Sequence, residues 1–494
     1  MPDDGARHGA AEAVRAASGA SGLKRDCLSY VEVLAQSVSV IAPSTVPAAI
    51  LGLIFATAGN GTWLAFLLGM VGLVLVSLNV NEFARRSASS GSLYTYIVQG
   101  LGPTAGVMSG WALSFAYMLT GMSTLCGFGI FAEQMLGQIG IHLSILAIFA
   151  AAAIAAAMIA SRDVQLSAKL MLACEGAALA AVLVLGMLIW RHQGFVVDTA
   201  QWRLTGVKPC GVLVGIVLVV FGFSGFESST ALGDEAKNPL STIPRSVMQS
   251  VVISGLIFIF MAYTVVLGYK GTASDLGTAE APLNHLASAM DFGVLGVLIN
   301  IGILLSFFSC TLASISSTAR IIYSMARHGL IFDRLGASHQ ANKTPYIAVG
   351  FAGLITFLLP AGCYLAGCTA FDAQGYFGTL CSFGFIVVYV LISIAAPLYL
   401  RGIGKLTARS VIFAVAAVGF MALPFLGTVG IPGSTLFPPP RYPNNILPYI
   451  FIAYMAVGLA WLWIKRARHP KMIAKMTRAI DENEVRFARR RPVS

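Results

Sequence analysis

Ser37-Val-Ser-Val-Ile-Ala-Pro-Ser-Thr-Val-Pro47 lies inside the first long apolar run of the chain. Pro43 and Pro47 each lack an amide donor and clash with the turn before them, so an unbroken helix is disfavoured there. Pro43 comes twelve residues after Val31, about 18 Å at the α-helical rise. That is close to the middle of a hydrocarbon layer about 30 Å thick. A second stretch, Phe221-Gly-Phe-Ser-Gly-Phe-Glu227, repeats the pattern with glycines. Gly222 follows Gly211 by eleven residues, again about 16 Å. A broken helix exposes amide N–H groups at one new end and carbonyl groups at the other. Lipid offers them no partner, so a solute or ion can supply one. Paired interruptions at matching depth point to the binding site of a transporter, whereas kinks in two ordinary spans are the duller alternative.

The surroundings require a membrane. Of 494 residues, 57% are hydrophobic and 11% charged, against roughly 25% charged in soluble domains. Mean hydropathy is +0.80, which excludes a soluble enzyme, a disordered chain or a disulfide scaffold. Apolar windows between turn signals predict twelve spans, near 31–57, 62–84, 93–131, 143–160, 165–189, 211–233, 245–268, 292–325, 345–365, 373–398, 409–427 and 446–464. Gly100, Gly102 and Pro103 are expected to divide the third into a surface piece and a span proper. The fold class is therefore an all-α membrane protein of twelve transmembrane helices. Spans one to five and six to ten form a 5+5 inverted repeat with broken helices 1 and 6, plus two C-terminal helices. The expected divisions are a polar cytoplasmic tail (1–30), a transport core (31–398), two further helices (399–464) and a basic cytoplasmic tail (465–494).

Charge sets the expected orientation. With both termini inside, 27 of the 32 Lys and Arg residues are cytoplasmic. Arg191, Arg203, Lys208, Lys270 and Arg441 are left outside. Ten of the 32 lie between Lys465 and Arg491, so the net charge of +11 reads as membrane orientation and not as nucleic-acid binding. The tail Lys465-Arg-Ala-Arg-His-Pro-Lys471 can also attract anionic lipid, although a plain stop-transfer anchor suffices. The first thirty residues carry Asp3, Asp4, Glu12 and Asp26 without an apolar h-region and read as a polar tail. The cysteine spacing fits no disulfide frame and no zinc site. Cys363 and Cys368 are near enough to pair, but two small buried residues is the simpler reading. No metal and no cofactor is expected. There is no phosphate loop or His-Glu-x-x-His pair, and no catalytic set that would make this chain an enzyme.

The residues resemble the amino acid–polyamine–organocation (APC) superfamily of secondary transporters. Phe221-Gly-Phe-Ser-Gly-Phe-Glu-Ser-Ser-Thr-Ala-Leu-Gly-Asp-Glu-Ala-Lys-Asn-Pro239, with Thr242-Ile-Pro-Arg-Ser246, is similar to the family's broken sixth helix, its acidic-Lys-Asn-Pro loop and the entry to helix seven. Ser90-Gly-Ser-Leu-Tyr-Thr-Tyr96 with Gly100-Leu-Gly-Pro103 matches the opening of the third helix. Thr318-Ala-Arg-Ile-Ile-Tyr-Ser-Met-Ala-Arg-His-Gly329 and Lys343-Thr-Pro345 match the end of the eighth and the start of the ninth. The resemblance covers roughly residues 31–400. It implies an amino acid permease of the cell membrane that moves amino acids or related amines by alternating access, with proton coupling and substrate exchange as the two modes. Three departures stand out. Ala42-Pro43-Ser44-Thr45 replaces the frequent Gly-Ser-Gly turn, His328 and Phe332 stand where Asp and Pro are usual, and no aromatic gate lies near Ser314.

The expected substrate site comprises Ala42, Pro43, Ser44, Thr45 and Val46 of span one and Phe221, Gly222, Phe223, Ser224 and Gly225 of span six. Tyr117, Cys310 and Ser314 complete it. Pro43 cannot donate, so carboxylate capture falls to the amides of Ser44, Thr45 and Val46 and to two hydroxyls, with the amine facing carbonyls near Phe221–Ser224. Phe221, Phe223 and Phe226 are gate candidates or plain packing, Phe221 the best placed because it enters the break. Glu175 lies ten residues into span five, where a charge costs roughly 2.5–3.5 kcal/mol on insertion scales. In proton-coupled relatives an ionisable residue near this position replaces a sodium ion, so Glu175 is the coupling candidate. The alternative is a neutral carboxyl bonded to nearby backbone, and sodium remains a second coupling ion. Glu227 is expected to tie the unwound segment to its neighbours as a structural or gate residue. Asp234, Glu235 and Lys237 are expected to be gate charges or solvated loop charges. A channel or receptor is the rival class, disfavoured because polar atoms gather at mid-depth and do not line a pore.

Overall fold

The computed structural model describes residues 22–489 except 271, 273, 280, 281, 291 and 292. Most of the expected tail 1–30, and residues 490–494, lie outside the described residues. Among those described the chain is all-helical, with one isolated bridge between Leu28 and Ala236 as its only extended pairing. A chain embedded in lipid must satisfy its backbone internally, and helices do so within each segment.

In order, the helices are α1 (Tyr30–Ile41), α2 (Thr45–Ala49), α3 (Leu51–Ala58), α4 (Thr62–Ala84), α5 (Leu93–Leu101), α6 (Pro103–Gln138), α7 (Ile145–Arg162), α8 (Val164–His192) and α9 (Thr199–Trp202). They continue with α10 (Pro209–Gly222), α11 (Pro239–Tyr269), α12 (Pro282–Ala289), α13 (Gly293–Arg327), α14 (Tyr346–Leu365), α15 (Ala370–Gly402), α16 (Ala408–Val429), α17 (Leu447–Arg468) and α18 (Met472–Arg489). Among the described residues ten helices are long and apolar enough to cross a membrane, with α3 and α4 counted as one, Leu51–Ala84. The chain is thus a multi-pass membrane protein. The expected first and sixth spans are not continuous helices: α1 stops at Ile41, and α10 has only 14 residues.

Punctuation residues explain most boundaries. Gly102, at φ 87°, separates α5 from α6, as the Gly-Leu-Gly-Pro signal predicts. α6 then runs to Gln138, seven residues past the expected end, because no breaker interrupts Phe131-Ala-Glu-Gln-Met135. α11 opens at Pro239, six residues early. Proline costs nothing at a first helical position, and Pro244 forfeits only one bond near that end.

α6 packs along α13 and α15 at the centre. Small residues allow the approach: a Cβ on Gly384 of α15 would lie 2.7 Å from the Ala112 carbonyl oxygen, and one on Gly127 would lie 2.5 Å from the Phe307 ring. Such seams let helices in lipid gain contact without a hydrophobic driving force. At one end of the bundle residues 22–28 cross the base of the core. Cys27 and Leu28 donate to the Glu235 carbonyl at 2.9 and 3.0 Å, and Lys237 donates back to Leu28 at 2.8 Å. The helix α18 docks at this end too, burying Met472, Met476 and Ile480, with Asn483 donating to the Ala88 carbonyl at 2.7 Å.

Candidate functional site: two facing helix breaks

α1 ends because Ala42 turns left-handed (φ 49°) while its N–H still donates to Val38 O at 2.9 Å. Both the N–H and the hydroxyl of Thr45 then fold back onto the Ala42 carbonyl, at 2.9 and 2.8 Å, and α2 starts. Of the three amides expected to hold a carboxylate, that of Thr45 is therefore engaged within its own turn, because Pro43 forces a tight reversal. The Val40 carbonyl accepts from Cys310 Sγ at 3.2 Å.

The second break follows Gly222. Phe223 and Ser224 donate to Val220 and Phe221 carbonyls at 3.2 and 3.1 Å, and the Ser224 hydroxyl to Val220 O at 3.2 Å. Gly225 then adopts φ 89°, and its N–H reaches the Tyr389 hydroxyl at 2.9 Å. Winding resumes only as a 3-10 turn over Ser228–Leu232. The two breaks face each other. A Cβ on Gly222 would lie 3.1 Å from Val46, and one on Gly225 would lie 2.2 Å from Val40. Ser228 donates to the Gln36 carbonyl at 3.2 Å, and Ser229 N–H to Ser37 Oγ at 3.0 Å.

Glu227 sits directly after this second break, fully buried. Its two oxygens accept from Tyr117 at 2.8 Å and Tyr389 at 2.5 Å, which ties the unwound segment to α6 and α15. Tyr117, expected to offer its hydroxyl to a solute, spends it on Glu227. Phe223 packs edge-on to Phe258 and Phe226 lies against Tyr389, both fully buried. Phe221 alone of the three is partly exposed, next to Gly378.

Glu175, 2% exposed on α8, accepts from Ser306 Oγ at 2.7 Å and from Ser44 Oγ at 3.4 Å. Its partners are hydroxyls from α13 and from the first break. Nearby Ser309 donates to Ser39 at 2.9 Å, and Thr124 pairs with Thr311 at the same distance. Cys310 and Ser314 are buried on that face of α13, with Ser314 opposite Gly121. Sequence reasoning missed Ser306, Ser39, Ser309 and Tyr389. The polar run Ser306, Ser309, Cys310, Thr311, Ser314 at helical spacing was the available signal for Ser306 and Ser309. Tyr389 had none.

Glu235 overturns the reading of a solvated loop charge. Arg320 grips it with Nε–Oε2 at 2.6 Å and Nη2–Oε1 at 3.1 Å, and both side chains are at most 2% exposed. A two-pronged Arg–carboxylate pair sealed from water is geometrically specific. Asp234 accepts from Ser90 N–H at 3.0 Å, so the same loop is also tied to the segment before α5. Among the described residues no three His, Cys, Asp or Glu side chains gather to hold a metal ion.

Two opposed breaks in a bundle of apolar helices define a membrane carrier, and the chain belongs to the amino acid permease family, whose model matches residues 33–468. It is similar to the branched-chain amino acid permease BcaP of Bacillus subtilis, at 25% identity over 61% of this chain and 68% of the relative. It is equally similar to the low-affinity putrescine importer PlaP of Escherichia coli, at 25% over 66% and 72%. The serine/threonine exchanger SteT of Bacillus subtilis matches at 25% over 58% of this chain and 65% of its own length. The chain is an integral membrane transporter of small molecules and not an enzyme.

Proposed function

We propose that this permease carries amino acids or related organic amines across the cell membrane by alternating access, driven by protons through Glu175. The observation that carries the proposal is the meeting of the two breaks, with Ser44 of the first joined to the Glu175 carboxyl. A substrate carboxylate is received by the amides of Ser44 and Val46, the amide and hydroxyl of Thr45 being spent on the Ala42 carbonyl, and its amine by carbonyls at Phe221–Ser224, with Phe221 as the gate. Ala42, Pro43, Gly222, Phe223 and Gly225 shape the cradle, and Cys310 and Ser314 line its wall. Glu227 and its two tyrosines keep the second break in register. Access alternates as α1–α4 with α10 and α11 rock against α6, α7, α13 and α14. The arrangement is twelve spans in a 5+5 inverted repeat over 31–398, with two further helices over 399–464 and both termini cytoplasmic. The basic tail from 465 adds attraction for anionic lipid.

Exchange of one substrate for another is the second reading, supported by the resemblance to a serine/threonine exchanger. Purified protein in proteoliposomes tests both against labelled leucine, serine and putrescine. Accumulation driven by an inward proton gradient and unaffected by replacing sodium with choline supports symport. Uptake that appears only when the lumen is preloaded with substrate, gradient or no gradient, replaces symport by exchange. Ohmic single-channel current would defeat the carrier reading.

A further inference from the structure

α14 ends in a turn that brings two cysteines together. Ala366 caps the helix, and Gly367 turns left-handed at φ 89°. The Cys368 N–H donates to the Cys363 carbonyl at 3.0 Å, and the Gly367 N–H to the Tyr364 carbonyl at the same distance. This nested pair of bonds sets the residue three places before the cap beside the one two places after it, and their side chains ordinarily meet. Here both are cysteines. Both are thiols in this structure and both are partly exposed, so neither is a small residue sealed in the core. Thr369 follows at once as the N-cap of α15, accepting from the Asp372 N–H at 3.1 Å.

A disulfide joins residues whose Cα atoms lie about 4.4–6.8 Å apart. Residues joined by direct backbone hydrogen bonds commonly fall inside that range, as paired strand residues at about 5.5 Å do. Both side chains also pack against the core of the bundle, so they leave the turn on the same side. Cys368 Sγ donates weakly to the Thr369 carbonyl at 3.5 Å, a contact that a bridge gives up at little cost. Cys126 of α6, the neighbouring thiol, is fully buried. Burial pushes the Cys368 thiol above its ordinary value, and Cys363 and Asp372 push it further. Such a thiol is a slow nucleophile, which suits a bridge made once better than a sensor that cycles.

We propose that Cys363 and Cys368 are joined as a disulfide at the cell surface, a covalent brace across the turn from α14 to α15. The inference rests on the orientation proposed above, which puts this turn on the outer face, where disulfides form and persist. Each thiol loses its proton, and the sulfur–sulfur bond forms as two electrons pass to the disulfide of an exchange catalyst, which leaves as a dithiol. The brace bears on the cradle, because α15 carries Gly378 beside Phe221 and Tyr389 on Glu227. Fixing the residue before its N-cap to the end of α14 sets where that helix starts.

The test treats intact cells expressing the full chain with a membrane-impermeant maleimide and maps the labelled cysteines by mass spectrometry. Cys210, exposed at the start of α10 and outside in the same orientation, reports sidedness. It is expected to label at once, and Cys363 and Cys368 only after an impermeant phosphine reductant. Protein denatured and alkylated without reductant should give a peptide bridged between 363 and 368. Cys363→Ser should open Cys368 to label without reductant, and Cys368→Ser should do the same for Cys363. Label on both cysteines of the parent without reductant overturns the bridge, and so does a cross-link from either to Cys126. A silent Cys210, labelled only after the cells are permeabilised, overturns the orientation instead, and with it the oxidising surroundings that the bridge requires.

Discussion

Ser44 Oγ lies 3.4 Å from Glu175 Oε1 while Ser306 Oγ lies 2.7 Å from Oε2, so a single carboxyl joins the first helix break to α13. An ionised carboxylate accepts from both hydroxyls. A protonated one carries a donor as well and is the weaker acceptor, so those contacts loosen or one of them reverses. On the proposed reading, this is how proton binding acts on the shape of the break.

Glu175→Gln separates coupling from carriage. The amide is nearly isosteric but has no proton to exchange. Gradient-driven accumulation of labelled substrate in proteoliposomes is expected to disappear, whereas counterflow into preloaded vesicles persists. Retained accumulation in the variant would make Glu175 a structural residue.

Glu227 has two tyrosine partners of unequal importance. Tyr117→Phe removes one hydrogen bond to a charged group, worth about 1.5–3 kcal/mol. Tyr389→Phe removes the other and also leaves the buried Gly225 N–H unpaired, adding about 1–3 kcal/mol. Denaturation in detergent should rank Tyr389→Phe as the more damaging, and the reverse order would show that Glu227 does not hold the second break in place.

The buried pair Glu235–Arg320 invites a cycle of substitutions. Arg320→Met leaves a buried carboxylate without a partner and is expected to cost about 3–5 kcal/mol. Glu235→Leu combined with Arg320→Met removes both charges and should recover most of the loss. Thermal shift of the purified variants measures it, and a double variant no better than the single would mean that the pair's geometry, and not charge balance, holds that end closed.

The loop between α8 and α10 carries a pH-sensitive contact. Burial works to raise the pKa of Asp198, but Lys270 at 2.6 Å, with Gln201 and the Ala200 N–H, outweighs it and sets the carboxyl below its ordinary value. A depressed carboxyl stabilises the fold above its unfolded pKa and loses that contribution as pH falls through the folded value. The melting temperature of Asp198→Asn should therefore fall below that of the parent at neutral pH, and the two should converge toward strong acid. A constant gap across that range would rule out the ion pair as the cause.

Much of this architecture was legible because it depends on backbone chemistry. Pro43 and Gly222 marked both breaks, and Gly102-Pro103 marked the division between α5 and α6. What escaped depended on tertiary placement. Tyr389 is one tyrosine in a long apolar run, and only packing of α15 against α6 brings it to Glu227. The motif Asp-Glu-Ala-Lys-Asn-Pro looked soluble, yet Glu235 is sealed by an arginine 85 positions later in the chain. The amide of Thr45 looked available until Ala42 turned left-handed and folded the chain back on itself.

Gly225 provides the sharpest test of the paired breaks. A side chain there meets two separate obstacles: a φ of 89° that costs an L-residue about 1–2 kcal/mol, and a Cβ 2.2 Å from Val40 Cγ1. Gly225→Ala should therefore push the second break away from the first and abolish uptake while leaving the protein in the membrane, as judged by its abundance there. Val40→Ala added to Gly225→Ala removes the Cγ1 collision, leaving a Cβ contact of 3.2 Å and the backbone strain, so uptake should return in part. If Val40→Ala restores nothing, the Cγ1 collision is not what stops uptake, and the contact between that methyl and the second break does not set transport.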